Sequence, residues 1–181
     1  MRVTFQPEAS LVHAALRAAG FVPYQPLDWQ DGRVVPARSG YVLEAGEAPG
    51  SLRLAHTDVS CDEDAEAVAH LDMRRALEAV DGLVTQQVDA ARSRNVAVLV
   101  TAERALTDSD TALLAAASDG RLLHRRGRWR SADGTVDARA AADLLLSGWI
   151  AAGPDGHAEL TAAGADLLAE VQPVPAVDLT V

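Results

Sequence analysis

The stretch LLLSGWIAAGPDGHAELTAAG, residues 144–164, contains in order a helix end, a hairpin and a helix start. Gly148 follows an apolar run at a point where a helix can stop in the left-handed conformation, and the apolar Trp149 and Ile150 come next to fill a core. Gly156 permits a tight turn between two short strands, and Thr161 is a favourable helix N-cap. The stretch therefore predicts two helices joined by a short hairpin.

The residues before this stretch predict another helix and an arginine-rich hairpin. Thr107 and Asp110 have the spacing of a capping box, which marks the start of a helix. The segment RLLHRRGRWRS, residues 121–131, has two strand-like halves around Gly127. Helices are therefore predicted over residues 108–117, 136–147 and 161–170.

Residues 107–170 resemble a winged-helix domain. Members of this family often end a helix with Leu-x-x-x-Gly-Trp/Leu-Ile/Val, which residues 144–150 match, and often follow the wing with Leu-Thr-x-x-Gly, which residues 160–164 match. The resemblance implies a small helical fold with a two-stranded wing, and a role in binding DNA or in docking another protein.

This segment departs from the winged-helix pattern in one respect. A winged helix that reads DNA normally has two helices before the wing, and the second lies in the major groove. Here only the helix over 136–147 lies between the arginine-rich segment and the wing, and Arg139 is its only cation, beside Asp137 and Asp143. The departure argues against sequence-specific reading of DNA by this helix.

Residues 1–105 predict a separate small α+β domain that resembles no family we recognise. Asp31-Gly32 and the alternation of residues 52–56 predict two hairpins, the second formed by residues 41–45 and 51–56. Ser60 and Glu63 have capping-box spacing, and apolar residues recur at helical steps, so a long helix is expected over 62–92, with Gly82 as a point of kinking or division. Further elements are a helix over 7–19 and a buried strand over 96–101.

The chain is thus predicted to be α+β with two domains. The N-terminal α+β domain covers residues 1–105 and the winged-helix-like domain covers residues 106–170. Residues 171–181 contain two prolines and predict an extended tail.

The strongest local signal is the density of arginine after Gly120. Its guanidinium groups could neutralise several phosphates of duplex DNA, and Trp129 could stack beside them. In a hairpin about Gly127, alternation predicts that Arg126, Arg128 and Arg130 point together, with Trp129 opposite and directed towards the core. The alternative is a solvated edge strand whose charges prevent edge-to-edge association, or charges neutralised by acids of the first domain. The candidate nucleic-acid-binding residues are Arg121, Arg125, Arg126, Arg128, Arg130 and Arg139.

Composition excludes several classes of protein. The chain has 181 residues, of which 49% are hydrophobic and 23% charged, a balance that favours a folded protein over a disordered one. The lone Cys61 excludes an internal disulfide framework. No apolar run approaches the roughly 20 residues that span a bilayer. The N-terminus lacks the apolar stretch of a signal peptide, so we expect a cytoplasmic protein with no membrane partner.

The sequence contains no familiar catalytic or metal-binding pattern. The run HTDVSCDED, residues 56–64, mixes one thiol and one imidazole with carboxylates, a ligand set that matches no common metal preference. Helix capping explains its acids more simply. None of the five histidines lies in a known nucleophile or zinc motif. We therefore predict no enzyme activity, no metal and no cofactor.

Two functions remain. The first is a non-enzymatic DNA-associated protein, a regulator or an accessory factor of a mobile element, that contacts phosphate through the arginine segment and the wing. The alternative is a protein–protein interaction or dimerisation module without a nucleic-acid role, in which the helix over 62–92 docks a partner or a second copy. The two are compatible, because dimeric winged helices are common.

Overall fold

The computed structural model describes residues 2–30, 32–88, 97–132 and 134–171, and it has a mixed α and β fold. The α+β class predicted from the sequence is confirmed at this level. The chain divides into two compact units, one of them Thr4–Arg104 and the other formed by residues 2–3 with 105–171. Within the described ranges, no helix is both long enough and apolar enough to pass through a lipid bilayer.

Residues 2–105 contain a β-sheet and two helices. In chain order the elements are β1 Arg2–Phe5, α1 Ala9–Ala18, β2 Asp28–Gln30, β3 Arg33–Val35, β4 Gly40–Ala45, β5 Leu52–Thr57, α2 Glu63–Glu78, β6 Leu83–Val88 and β7 Ala97–Ala105. Of these residues, Arg2, Val3 and Ala105 belong to the other compact unit. The sheet has the order β1-β7-β5-β4, and β6 also pairs with β7. β2 and β3 form a separate hairpin. Asp31 of the predicted first turn and residue 96 of the predicted buried strand lie outside the described residues.

The core of this unit lies between the sheet and the helices. Successive residues of a strand point to opposite faces, so alternate side chains of β4, β5 and β7 reach the face that α1 and α2 cover. The predicted second hairpin is confirmed as β4–β5, with Leu43 opposite Leu54. The buried cluster consists of Val12, Leu16, Tyr41, Leu52, Leu54, Met73, Leu77, Leu83, Val98 and Val100.

The prediction of one long helix over 62–92 was wrong. α2 ends at Glu78, Gly82 follows with φ +82°, and the chain continues as β6, which pairs with β7 from Leu83↔Ala102 to Val88↔Ala97. Apolar residues at helical spacing also fit a strand here, because pairing with β7 buries Leu83. The helix is capped by Asp62, which accepts from the amides of Asp64 and Ala65, and not by Ser60. Residues 89–92 of the predicted helix lie outside the described residues.

His70 joins α2 to β5 through both of its ring nitrogens. Nε2 accepts a hydrogen bond from the backbone N–H of His56 at 3.1 Å, so Nδ1 carries the proton and donates to the carbonyl of Glu66 at 2.8 Å. The residue is 4% exposed, and burial lowers the pKa of its imidazole below the usual 6.5. His70 is therefore a neutral core residue.

This buried imidazole predicts a loss of stability in mild acid. The folded state binds fewer protons than the unfolded state below about pH 6.5, so the free energy of unfolding falls as the pH falls through that value. We expect the unfolding temperature to decrease between about pH 7 and pH 5. The variant His70→Gln, which cannot titrate, should show a flatter dependence over the same range. Equal slopes for the two proteins in thermal unfolding would assign the effect to other groups.

The second unit contains the segments on which the functional hypothesis rests. Its predicted helices and hairpins are confirmed with shifted bounds, and the Thr107–Asp110 capping box is present. Its elements are α3 Asp108–Ser118, β8 Leu122–Arg125, β9 Arg128–Ser131, α4 Ala138–Leu146, β10 Ile150–Ala152, β11 Ala158–Leu160 and α5 Ala162–Val171. Residues 172–181 of the predicted tail lie outside the described residues.

The two ends of the stretch 144–164 pack directly on each other. The Thr161 side chain caps α5 by accepting from the N–H of Gly164 at 3.1 Å, and its hydroxyl donates to the carbonyl of Gly148 at 2.7 Å. The backbone N–H of Thr161 donates to the carbonyl of Trp149 at 3.2 Å. A Cβ at Gly164 would lie 1.9 Å from that carbonyl oxygen, so the close approach of α5 requires a glycine. These contacts hold the end of α4 against the start of α5.

Candidate nucleic-acid interface

β8 and β9 form a two-stranded hairpin, here called the Arg hairpin (residues 122–131). Its register pairs Arg125 with Arg128 and Leu123 with Arg130. Directly paired residues of an antiparallel ladder share a face, so these four side chains lie on one side of the hairpin. Arg126 occupies the turn with φ +52°. Strand alternation therefore does not place Arg126, which belongs to the turn at residues 126–127, but its side chain lines the same groove as Arg128 and Arg130, as the sequence predicts.

The opposite face of the Arg hairpin is apolar and aromatic. Leu122 is fully buried, and the rings of His124 and Trp129 stack with centroids 4.3 Å apart and an interplanar angle of 21°. Trp129 therefore lies opposite the arginine face, as the sequence predicts. Its indole contacts the adjacent imidazole, and both rings are partly exposed, so Trp129 is not the buried core residue that the sequence predicts.

The arginine face forms an open groove with a volume of about 660 Å³. The groove is lined by Leu123, Arg125, Arg126, Arg128 and Arg130, and all four arginines are exposed. The side chains of Arg126, Arg128 and Arg130 form no ion pair or hydrogen bond with any residue that the structure describes. Four cations that line one groove, none of them paired with an acid among the described residues, create a local positive potential that attracts anions.

The wing, β10 and β11 with the turn between them, adjoins the Arg hairpin. The backbone N–H of His124 donates to the carbonyl of Gly156 at 2.7 Å, and the Arg125 guanidinium donates to the carbonyl of Asp155 at 2.8 Å. His157 Nδ1 lies 2.8 Å from the carbonyl of Gly120, and His157 forms a β-bridge with Leu123. β8 therefore pairs with β9 on one side and contacts the wing on the other.

The wing itself, residues 150–160, carries no arginine or lysine. The exposed Asp155 and Glu159 make the wing acidic. The wing therefore offers no arginine or lysine for the phosphate contact that the sequence analysis expects there. The wing provides backbone carbonyls that support the Arg hairpin.

Two of the predicted site residues lie apart from the groove. Arg121 precedes β8, and its guanidinium pairs with Asp119 at 2.6 Å. Arg139 lies in the first turn of α4, where its backbone N–H donates to Asp137, and its side chain is not part of the groove lining. Both residues already have interactions within the protein. The structure thus brings together Arg125, Arg126, Arg128 and Arg130, and leaves Arg121 and Arg139 outside.

α4 offers few groups for reading bases. Its N-cap is Asp137, whose carboxylate accepts from the amides of Arg139 and Ala140, so a negative charge stands at the end where a recognition helix meets DNA. Ser147 at its C-terminus is buried. The exposed or partly exposed side chains of the helix are Ala138, Arg139, Ala142, Asp143, Leu145 and Leu146.

The acidic run at residues 56–64 is organised around Asp58. Its carboxylate accepts from the hydroxyl of Ser39, from the hydroxyl and amide of Ser60, and from the amide of Asp62. The bond from Ser39 is the main cause that lowers the Asp58 pKa to about 2, and the bonds from Ser60 and Asp62 add to it. Within the described residues, no three His, Cys, Asp or Glu side chains cluster closely enough to hold a metal ion.

The sequence did not point to the part that Asp155 and Gly156 take in this site. They lie about thirty residues beyond Arg125 along the chain, and the only local signal is a Gly-Pro-Asp-Gly turn. Which strand that turn would contact depends on tertiary packing. No protein-family model, curated protein or solved structure matches this chain.

Proposed function

We propose that this chain is a non-enzymatic DNA-associated protein, a regulator or an accessory factor of a mobile element, whose winged-helix-like second unit contacts the phosphate backbone of duplex DNA. The contact is made by Arg126, Arg128 and Arg130 of the Arg hairpin. The observation that carries the proposal is that these three guanidinium groups share one open groove and have no acidic partner among the described residues.

The charge of the whole chain makes this groove distinctive. The formal net charge is -10, so ordinary solubility would be served by acidic residues alone. Like charges set close together repel one another, and a cluster without counter-charges costs stability unless a bound anion relieves it. Arginine also matches phosphate geometry, because its planar fork donates two parallel hydrogen bonds.

The proposed contact is with the backbone and has little sequence preference. Base reading requires hydrogen-bonding side chains on an element that enters a groove of DNA. α4 presents mainly alanine and leucine there, and its one arginine already has a partner. The Arg hairpin presents cations, which contact phosphates of any sequence.

Binding of labelled duplexes, measured by fluorescence anisotropy across salt concentrations, tests this function. Three phosphate contacts predict a slope of log K against log salt of about -2.7, which is about 40-fold weaker binding at 200 mM than at 50 mM salt. Two duplexes of equal length and unrelated sequence should bind within about threefold of each other, far below the ratios of specific binders. Absence of salt-dependent binding at about 50 mM would contradict the proposal.

A protein-interaction role is the alternative, and one surface favours it. On the β2–β3 hairpin, Trp29 and Val34 are cross-strand partners, 68% and 51% exposed, and Leu27 beside them is 64% exposed. Exposed aromatic residues with apolar neighbours are typical of interface hot spots. The predicted docking helix over 62–92 no longer supports this role, because α2 ends at Glu78. Light scattering over a range of protein concentrations distinguishes a homodimer from a monomer.

A further inference from the structure

Arg125 differs from the other three arginines of the groove. Its guanidinium donates to the backbone carbonyl of Asp155, whereas Arg126, Arg128 and Arg130 have no such bond with the described residues. Its side chain also lies across Gly156. A Cβ built there would stand 2.8 Å from Arg125 Cγ and 2.9 Å from its Nε. Any residue larger than glycine at position 156 would therefore overlap the Arg125 side chain where it now lies.

We infer that Arg125 is a positioning residue that holds the Arg hairpin against the wing turn, residues 153–157. Gly156 leaves the space that the Arg125 side chain occupies. The inference deepens the proposed function, on which its effect on DNA binding depends. The contact between Arg125 and the wing turn is a property of the protein without DNA.

Two adjacent residues of β8 donate hydrogen bonds to the wing turn. The backbone N–H of His124 donates to the carbonyl of Gly156 at 2.7 Å, and the next residue along the strand, Arg125, reaches past that glycine to the carbonyl of Asp155. Gly156 has φ +89°, a conformation that other residues rarely adopt, so both its backbone and its missing side chain serve the contact. The wing turn is itself closed by the amide of His157, which donates to the Asp155 carboxylate at 2.9 Å.

Support from the wing turn affects how well the Arg hairpin can bind an anion. A two-stranded hairpin is only marginally stable in water by itself. When β8 is bound to the wing turn, the turn and β9, which carry the three other arginines, belong to a supported hairpin, and less conformational freedom is lost when an anion binds. Arg125 therefore contributes to binding through the position of its neighbours and not through a phosphate of its own.

Gly156→Ala separates position from charge, because it removes no charge; it displaces the Arg125 side chain and also strains the backbone at φ +89°. We expect this variant and Arg125→Met each to weaken duplex binding by roughly threefold to tenfold, a loss of one or two ordered side-chain contacts. The double variant should bind no more weakly than the weaker single variant, because both changes break one contact. Arg125→Lys, which keeps a donor and an aliphatic stem, should restore most of the affinity.

The salt slope distinguishes a positioning residue from a phosphate ligand. Arg125→Met should leave the slope close to that of the unmodified protein, whereas Arg128→Met should make it less steep by about 0.9. Gly20→Ala is the matched control for backbone strain, since Gly20 has the same φ of +89° and no atom within 4 Å of its Cβ position. It should leave duplex binding unchanged.

Amide hydrogen exchange tests the contact between Arg125 and the wing turn in the absence of DNA. The His124 amide should lose roughly tenfold of its protection in Gly156→Ala and in Arg125→Met, and none in Arg128→Met. Unchanged protection in both variants, additive losses in the double variant, or a slope change equal to that of Arg128→Met would each overturn the inference. Failure of the unmodified protein to bind any duplex would instead refute the proposed function, and the exchange result would still decide whether Arg125 fastens the hairpin.

Discussion

Replacing Arg126, Arg128 and Arg130 together with alanine is expected to bring the salt slope of duplex binding from about -2.7 to near zero. The slope counts the phosphate contacts that release counterions, and these three side chains are the groove cations without a partner among the described residues. Affinity that changes by about 40-fold between 50 and 200 mM salt should then change by less than about twofold.

The same substitution should leave the fold intact. All three side chains are exposed, and exposed residues outside caps and packed contacts usually change the free energy of unfolding by less than about 0.5 kcal/mol. Circular dichroism and the unfolding temperature should therefore match those of the unmodified protein. A loss of binding with an unchanged unfolding curve assigns the loss to the removed cations.

A control variant separates local from overall charge. Arg17, Arg33 and Arg38 are exposed residues of the first unit, and replacing them with alanine removes the same three positive charges. This variant should keep the steep slope, because counterion release depends on cations that touch phosphate. If it loses as much slope as the hairpin variant, binding depends on diffuse charge and the groove is not the contact site.

Gly164→Ala is expected to destabilise the second unit by about 3 kcal/mol or more, the upper range for an added methylene in a packed site. On helix propensity alone the change would stabilise α5 by about 1 kcal/mol, because alanine is the better helix former. The steric term decides the sign. The new Cβ would stand 1.9 Å from the carbonyl oxygen of Trp149 and 2.9 Å from its carbonyl carbon, and backbone atoms cannot move aside as a flexible side chain can.

Thermal and urea unfolding followed by tryptophan fluorescence measure this effect. The clash should also weaken the Thr161 contacts with Gly148 and Trp149, so the start of α5 and the end of α4 would separate together. Ala163→Val, at an exposed neighbouring position of the same helix, adds more atoms but should cost less than about 1 kcal/mol. Similar costs for the two variants would show that α5 does not depend on this close approach.

Local sequence signals predicted most elements of the second unit. The Thr107–Asp110 capping box, the turn at Gly127 and the cap at Thr161 act over three or four residues, and each is present. Such signals succeed because a cap or a tight turn depends on the hydrogen bonds of its own few residues. The β4–β5 hairpin was predictable for the same reason.

The first unit shows where local signals fail. Residues 79–88 have apolar spacing that suits a helix, yet the chain turns after Glu78 and pairs with β7. The same spacing fits a strand once a partner strand is present, and no local pattern states that the partner exists. Alternation also gave the wrong reason for Arg126, which lies in the turn at residues 126–127 and nevertheless lines the groove with Arg128 and Arg130.

The sequence alone determined that this chain folds as α+β and that arginines concentrate on one predicted hairpin, because composition, caps and turns depend on neighbouring residues. Tertiary structure decided which of those arginines are available to contact an anion. Arg121 pairs with Asp119 two residues before it, which is a local contact, whereas Arg125 donates to a carbonyl thirty residues away, which only the tertiary structure provides. Arg126, Arg128 and Arg130 keep an open groove. Availability depends on what packs beside each side chain, and contacts between distant segments arise only when the chain buries its apolar surface.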